Sequence, residues 1–367
     1  MGRLSVDAMI PIARPQLGAE EEAVVLEVMR SGMLAQGAHV RAFEEAFATT
    51  IGSRFAVATS NGTTALYLAL LAHGVGPGDE VITSPLTFIA TANAIVHTGA
   101  RPVFADVDDS LNLDPDAAAA MIGRRTKAIV PVHLHGNPCH LSAFVRLARE
   151  NGLVMVQDAC QAVGATIDGQ PLGAFGTAVY SFYATKNLTT GEGGMVATND
   201  ESVADECRRL RNQAYSEVPY VHDAVAYNFR MTEMQAAIGL VQLHKLSALT
   251  HERRGNALYY DQSIPASRFP RPQRDPLHGH VYHQYTLRLP PDGPWSRDAL
   301  REKLENAGVA TGVYYPVPVH KQPPYQRSDT PPCPEAERAA ADMFSIPVHP
   351  GLSAADRARV AEAVVAL

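Results

Sequence analysis

The sequence predicts an α/β protein: a large domain with a mostly parallel seven-stranded sheet covered by helices, then a smaller C-terminal α+β domain. Three observations carry this. Seven short β-rich runs lie between residues 55 and 198, most of them separated by helical stretches or long connections, the pattern of a covered parallel sheet. The alternation stops near residue 200, and a Pro-rich passage over 265–276 marks a change of organisation. The 367 residues exceed what one ordinary core takes, which favours two domains. The expected division is 10–247 for the large domain and 248–367 for the small one, with residues 1–9 peripheral.

In chain order, residues 19–31 read as a helix with Glu20, Glu21 and Glu22 in its first turn and Gly32 as its stop. A second helix follows over 39–50, with Val40, Phe43 and Phe47 on one stripe. The strand runs are 55–59, 80–83, 102–106, 128–133, 154–158, 178–182 and 195–198. Thr232 and Gln235 form a capping box that opens a long helix towards Leu246, with further helix to about Tyr260. Beyond it, 282–289 reads as a strand, 296–307 as a helix stopped by Gly308, and 309–315 as another strand. A last helix starts at Ser353, where Asp356 completes a second capping box.

Composition narrows the function. Hydrophobic residues at 46% and charged ones at 19% are ordinary for a globular protein. A net charge of −7 argues against nucleic acid or an anionic membrane as partner. No apolar run approaches the ~18 residues of a membrane span. Cys139, Cys160, Cys207 and Cys333 show neither CxxC spacing nor a disulfide framework, and MGRLSVDAMI holds no sustained apolar stretch of a secretory signal. The expectation is a cytoplasmic protein in which any anionic small ligand is held by local groups.

In such sheets ligands bind beyond the carboxyl ends of the strands, so the residues after each run are the candidates. After the first comes Ser60-Asn61-Gly62-Thr63-Thr64 at a helix start, whose N–H groups, hydroxyls and positive dipole end suit a phosphate. Plain N-capping by Thr63 or Thr64 is the simpler reading of that motif alone. After the second comes Phe88, able to lie over a planar ring, although a lone phenylalanine is more often core. The run LVMVQD ends in Asp158, with Cys160 and Gln161 following; a carboxylate there is costly unless it caps a helix or meets a cation. The stretch SFYATKNLTTGEGGM, 181–195, presents Lys186 among hydroxyls and glycines.

Other chemistries lack their signatures. His133, His135, His140 and Cys139 match no zinc spacing and read as structural, so no metal is expected. Gly74 to Gly78 precedes a strand, so it is no dinucleotide turn, and neither GxxxxGK nor GxSxG occurs. Taken together, a phosphate turn, an aromatic platform, a buried aspartate and a lysine after strands of one sheet fit one ligand. Pyridoxal 5'-phosphate needs all four.

The segments SNGTTALYLALLAHGVGPGDEVITSPLTFIATANAI, GARPVFADVD, RTKAIVPVHLHG, VQDACQAVGA, SFYATKNLTTGEGG and YNFRMTEMQAAIGL resemble the DegT/DnrJ/EryC1/StrS family of nucleotide-sugar aminotransferases. That family has the aspartate-aminotransferase-like fold, the PLP-dependent transferase fold type I. The resemblance runs from about residue 10 into the small domain, where VYYPVPVHKQPPYQ is similar to a substrate-side segment. It implies that Lys186 carries the cofactor as a Schiff base and that Asp158 meets the pyridine nitrogen. It further implies that Phe88 stacks on the ring, Gln161 lies near the ring hydroxyl, and Gly62, Thr63, Thr64 and Ser181 hold the phosphate.

By the same resemblance Asn228 reaches the phosphate of a neighbouring subunit, which implies a homodimer with active sites at the interface. Tyr315, His320 and Arg230 are the candidate substrate-side residues. The implied reaction is a ping-pong transamination through pyridoxamine 5'-phosphate, from an amino acid, expected to be L-glutamate, to a keto group of a nucleotide-linked sugar. Two positions depart from the family pattern: Ala226 stands where glycine is usual before YNFR, and Tyr183 where many members have histidine. Family dehydratases carry histidine in place of the Schiff-base lysine, so Lys186 argues against that branch. A cofactor-binding sensor without turnover is the other alternative, and the intact lysine, aspartate and phosphate turn count against it.

Overall fold

Seven strands pair into one sheet: β1 (Phe55–Thr59), β2 (Glu80–Thr83), β3 (Arg101–Phe104), β4 (Thr126–Val130), β5 (Val154–Asp158), β6 (Thr177–Ser181) and β7 (Gly194–Thr198). Their order is β1-β7-β6-β5-β4-β2-β3, and only β7 runs antiparallel to its neighbours, β1 and β6. This is a computed structural model, and it describes residues 9–218, 220–290, 293 and 295–367. The expected peripheral start, 1–9, lies outside the described residues but for Met9.

Side chains alternate between two buried faces, which is why the strand sequences are apolar throughout instead of alternating with polar residues. Val57, Val156, Val179 and Val196 pack on one face with Leu66 and Leu68. Ala56, Ala58, Ala178 and Tyr180 pack on the other with Phe43 and Phe47. After α1 (Ala19–Ser31), which packs on the long helix Glu233–Ser263, helices cover the sheet: α2 (Ala38–Ile51), α3 (Gly62–Ala72), α4 (Ala90–His97), α5 (Pro115–Ala120), α6 (Leu141–Asn151) and α7 (Glu201–Arg211). The Phe47 and Tyr180 rings meet edge to face at 5.1 Å, locking α2 onto β6.

Helix α8 (Glu233–Ser263) is one continuous run of 31 residues opened by the expected Thr232–Gln235 capping box. The expected division at 247/248 therefore falls inside a helix. Its N-terminal half lies against α2, where a Cβ on Gly239 would come within 2.7 Å of Phe43 Cζ. Its C-terminal half supplies Ala257 and Tyr260 to a separate core with Phe269, Leu287, Leu300, Phe344 and Ile346. That core belongs to a two-stranded antiparallel sheet, β8 (Tyr285–Arg288) with β9 (Met343–Ile346), packed with α9 (Arg297–Asn306) and the C-terminal α11 (Ala354–Val365), whereas α10 (Pro334–Asp342) packs through Ala336, Ala339 and Ala340 with Leu86 and Phe104.

Residues 309–315 do not form the expected strand. Val309 bridges to Ile10 and Gly312 to Ser345, so successive residues find different partners and no ladder develops. The Tyr314–Tyr315 peptide bond within this stretch is cis. Among the described residues no helix is long and apolar enough to cross a membrane.

Candidate active site

The carboxyl ends of β1, β5 and β6 converge with the start of β7, and Asp158 and Ser181 are the last residues of the middle two strands. Asp158 is buried. Its Oδ2 accepts from the Thr91 hydroxyl at 2.7 Å and its Oδ1 from the Cys160 N–H at 3.1 Å. Two protein donors thus hold the carboxylate. Thr91 in turn lies 2.9 Å, hydroxyl to hydroxyl, from Thr87. Sequence reasoning missed Thr91; the only signal was a hydroxyl pair four residues apart at the start of α4.

Lys186 sits on the connection between β6 and β7. Phe182 and Leu188, both fully buried, anchor that connection. The Phe182 carbonyl accepts from Thr190 N–H and from the Thr189 hydroxyl, and the Asn187 amide donates to the Val281 carbonyl at 2.8 Å. A turn closed by Lys186 N–H on the Tyr183 carbonyl fixes the lysine between these anchors. Burial pulls the Lys186 amine below its ordinary pKa, and Cys160 and Asp158 partly counter that. The lowered value raises the share of neutral amine near neutral pH.

The phosphate-type turn is present, with a division of labour the sequence did not resolve. Asn61, not Thr63 or Thr64, is the N-cap of α3: its side chain accepts from Thr64 N–H at 2.9 Å, while the Thr64 hydroxyl returns to the Asn61 backbone. Gly62 and Thr63, the first two residues of the helix, keep backbone N–H groups with no intrahelical acceptor. A Cβ on Gly62 would lie 2.8 Å from Ser181 Cβ and 3.1 Å from Cys160 Sγ, so only glycine lets the turn close onto Ser181. Free N–H groups at a helix start, beside a buried serine hydroxyl, fit a phosphate. The carboxylate and the amine lie on the neighbouring strand ends, as a ring nitrogen and an aldehyde carbon require.

Gln161 joins two segments far apart in the chain. Its Oε1 accepts from His135 N–H at 2.7 Å and its Nε2 donates to the Tyr315 hydroxyl at 3.2 Å. Burial, and then the Asp158 charge, raise the Tyr315 pKa, so its phenol stays protonated. Phe88 is 54% exposed, with its ring 5.8 Å from that of Tyr315 and tilted by 38°.

The remaining candidates have other partners. Asn228 is exposed, in the segment whose Phe229 carbonyl accepts from Ser60 N–H. Arg230 donates to Asn212 Oδ1 at 2.6 Å. His320 is buried, 3.1 Å from a Glu337 carboxylate oxygen and beside Phe104.

The histidines near Cys139 have separate partners. His133 faces Gln157, His135 the Tyr314 carbonyl, and His140 Asp108. Burial lowers the first two to about 4. Among the described residues no group of three or more His, Cys, Asp or Glu is arranged to hold a metal.

Residues 15–365 match the model of the DegT/DnrJ/EryC1/StrS aminotransferase family. The chain belongs to that family. It is an aminotransferase, and its fold is that of the family's solved members. It is 40% identical to the GDP-perosamine synthase of Caulobacter vibrioides over 361 residues, 97% of each chain. It is also 40% identical to a pleiotropic regulatory protein of Geobacillus stearothermophilus, over 95% of this chain and 94% of the other. Among solved structures, S. venezuelae DesV in complex with a ketimine intermediate superposes with a TM-score of 0.90 at 37% identity. That match covers 95% of this chain and 94% of DesV.

Proposed function

We propose that the protein is a pyridoxal 5'-phosphate-dependent aminotransferase that moves the amine of L-glutamate to a keto group of a nucleotide-linked sugar. Overall, glutamate leaves as 2-oxoglutarate, the sugar C=O becomes C–NH₂, and no external oxidant or reductant is needed. The observation that carries the reading is the pairing of Lys186 with Asp158 beside the Gly62–Ser181 turn. The names of the relatives support the sugar acceptor: a GDP-perosamine synthase is among them.

When bound, the cofactor supplies an aldehyde carbon to carry the amine and a ring to accept electrons. Gly62 and Thr63 N–H groups, with Ser181, hold its phosphate. Asp158, oriented by Thr91 and Cys160, favours a protonated ring nitrogen. Phe88 covers one ring face, and Gln161 orients the ring edge while Tyr315 orients Gln161. Lys186 Nζ, neutral in larger share because of its burial, takes the proton from the donor Cα and returns it.

The active unit in this reading is a homodimer. In it Asn228 meets a second copy and completes the phosphate site, which its exposure and that of the apolar Val221 and Val225 before it support. Four cysteines without disulfides accord with a cytoplasmic location. The deciding experiment is amine transfer from isotope-labelled glutamate to a panel of nucleotide-linked keto sugars. Label in one amino sugar is expected; transfer to none of them, with cofactor bound, would overturn the reading.

A further inference from the structure

His283 is 7% exposed, and its Nδ1 is sealed from water without a hydrogen-bond partner. A buried polar atom left in that state carries a desolvation cost, and few are found in folded proteins.

The chain is strained to place the ring there. Tyr282, the residue before it, has a left-handed φ of 46°, uncommon for a large side chain. Such strain persists only where the surroundings over-determine it. The Arg274 guanidinium donates to the Tyr282 hydroxyl at 2.7 Å, and Tyr282 N–H donates to His280 Nδ1 at 2.8 Å. On the inner side, Val281 N–H donates to the Gly136 carbonyl at 3.0 Å and Gln284 N–H to the His135 carbonyl at 3.2 Å. A Cβ on Gly136 would lie 3.0 Å from both His283 N and the Gln161 carbonyl. The Val281 carbonyl accepts from the Asn187 amide at 2.8 Å, which ties this segment to the residue next to Lys186.

The charged groups that face His283 come from three elements, and all are bases. They are Lys186 on the β6–β7 connection, Arg253 on α8 and His135 in the turn Leu134–Gly136. Arg253 also donates to the Tyr282 carbonyl at 3.1 Å. Burial first, and then these cations, hold the His283 pKa well below 6.5. The imidazole therefore stays neutral and keeps one acceptor nitrogen, whereas ammonium and guanidinium groups only donate. Both ring nitrogens of His135 are occupied, by the Tyr314 carbonyl and the Thr286 hydroxyl. Lys186 is also faced by Cys160 and Asp158, but both oxygens of Asp158 already accept from Thr91 and Cys160. Of the three bases around His283, only the Lys186 amine gains and loses a proton during transamination.

We propose that His283 is a positioning residue for Lys186: its Nδ1 accepts a hydrogen bond from Nζ while the amine carries the proton taken from the donor Cα. The proton stays on Nζ, aimed for its return, and His283 gains no charge. This deepens the aminotransferase reading and rests on it.

The test compares His283→Leu, which removes the acceptor, with His283→Asn, whose Oδ1 replaces it. In the cofactor-free protein, imine formation between Lys186 and free pyridoxal is followed by absorbance against pH, with Lys186→Met as blank. The midpoint reads the titration of the amine. An acceptor favours the charged amine, so His283→Leu should lower the midpoint by about one pH unit and His283→Asn should restore most of it. In the loaded protein His283→Leu should lower kcat about tenfold, with both KM values near wild type. It should also enlarge the kinetic isotope effect with α-deuterated glutamate. A midpoint unmoved in His283→Leu overturns the proposal, as does a His283→Asn variant that behaves like His283→Leu. Should His283→Leu not fold, nitrogen-15 spectra of labelled histidines decide. A buried Nδ1 resonance that moves as the amine titrates, and stays fixed in Lys186→Met, supports the pairing; no such resonance removes it. A protein that aminates a keto sugar with an unmoved midpoint loses only the pairing. One that aminates no sugar loses the wider reading, whatever the midpoint does.

Discussion

The Thr91 hydroxyl donates to Asp158 Oδ2 at 2.7 Å, a bond from the first turn of α4 to the last residue of β5. With the Cys160 N–H on Oδ1, it fixes how the carboxylate is presented to a ligand. Thr91→Val keeps the shape and removes the donor. A hydrogen bond to a charged group is worth about 1.5–3 kcal/mol, so kcat should fall roughly tenfold or more with the fold retained. Steady-state kinetics beside a melting curve check this, and unchanged kcat would remove Thr91 from the site.

Lys186→Met should abolish transamination and at the same time stabilise the cofactor-free protein at neutral pH. The folded-state pKa of Lys186 lies below its ordinary 10.5, so between the two values the unfolded chain binds more protons. Wild-type stability therefore rises with pH through that window, and the advantage of the methionine variant should shrink there. Thermal melts of both cofactor-free proteins from pH 7 to 10 measure the gap. A gap independent of pH contradicts the assignment.

Gly62→Ala forces a methyl to within 2.8 Å of Ser181 Cβ in a packed turn. Overpacking of this kind costs about 1–3 kcal/mol. The larger effect should be on cofactor affinity, because α3 must move away from Ser181. Titration with pyridoxal 5'-phosphate, followed by absorbance, is expected to show weaker binding than in the wild type.

Glu233 joins α8 to α2. Its carboxylate accepts from the N–H groups of Gly37, His39 and Val40 at 2.7, 2.9 and 3.0 Å, serving the start of α2 from the first residue of α8. Burial opposes its charge, but these bonds and His39 outweigh it and leave its pKa below 4.5. Glu233→Ala should cost about 3 kcal/mol. Because a lowered carboxylate pKa stabilises the fold above its unfolded value, the difference from wild type should close as the pH falls through the folded value. Denaturant melts at pH 7 and pH 4 report it.

Much of this was legible in the sequence because both faces of the sheet are buried. Runs such as Val154–Asp158 are then continuous and bounded, and the lysine, the aspartate and the glycine turn fall just past them. What was not legible is long-range. Nothing local shows that Thr91 meets Asp158, sixty-seven residues on, or that Gln161 spans to Tyr315. The helix over Pro334–Asp342 and the strand Met343–Ile346 went unread, since the prolines before them read as loop although Pro334 is simply the first helical residue. Residues 309–315 have strand composition, but their pairing is shared between Ile10 and Ser345. For Asn228, only the family resemblance suggested a role, and its exposed position serves a site only if another chain covers it.

The unbroken course of α8 has a mechanical meaning. Thirty-one residues make a rod about 46 Å long, with Ala236 and Leu243 embedded in the sheet's core and Ala257 and Tyr260 in the other. The rod has no loop at which the two bodies could swivel. Any closing of the smaller body over Phe88 must bend this rod or slide along it, and a Gly-Gly insertion near Leu246 would turn a strut into a joint.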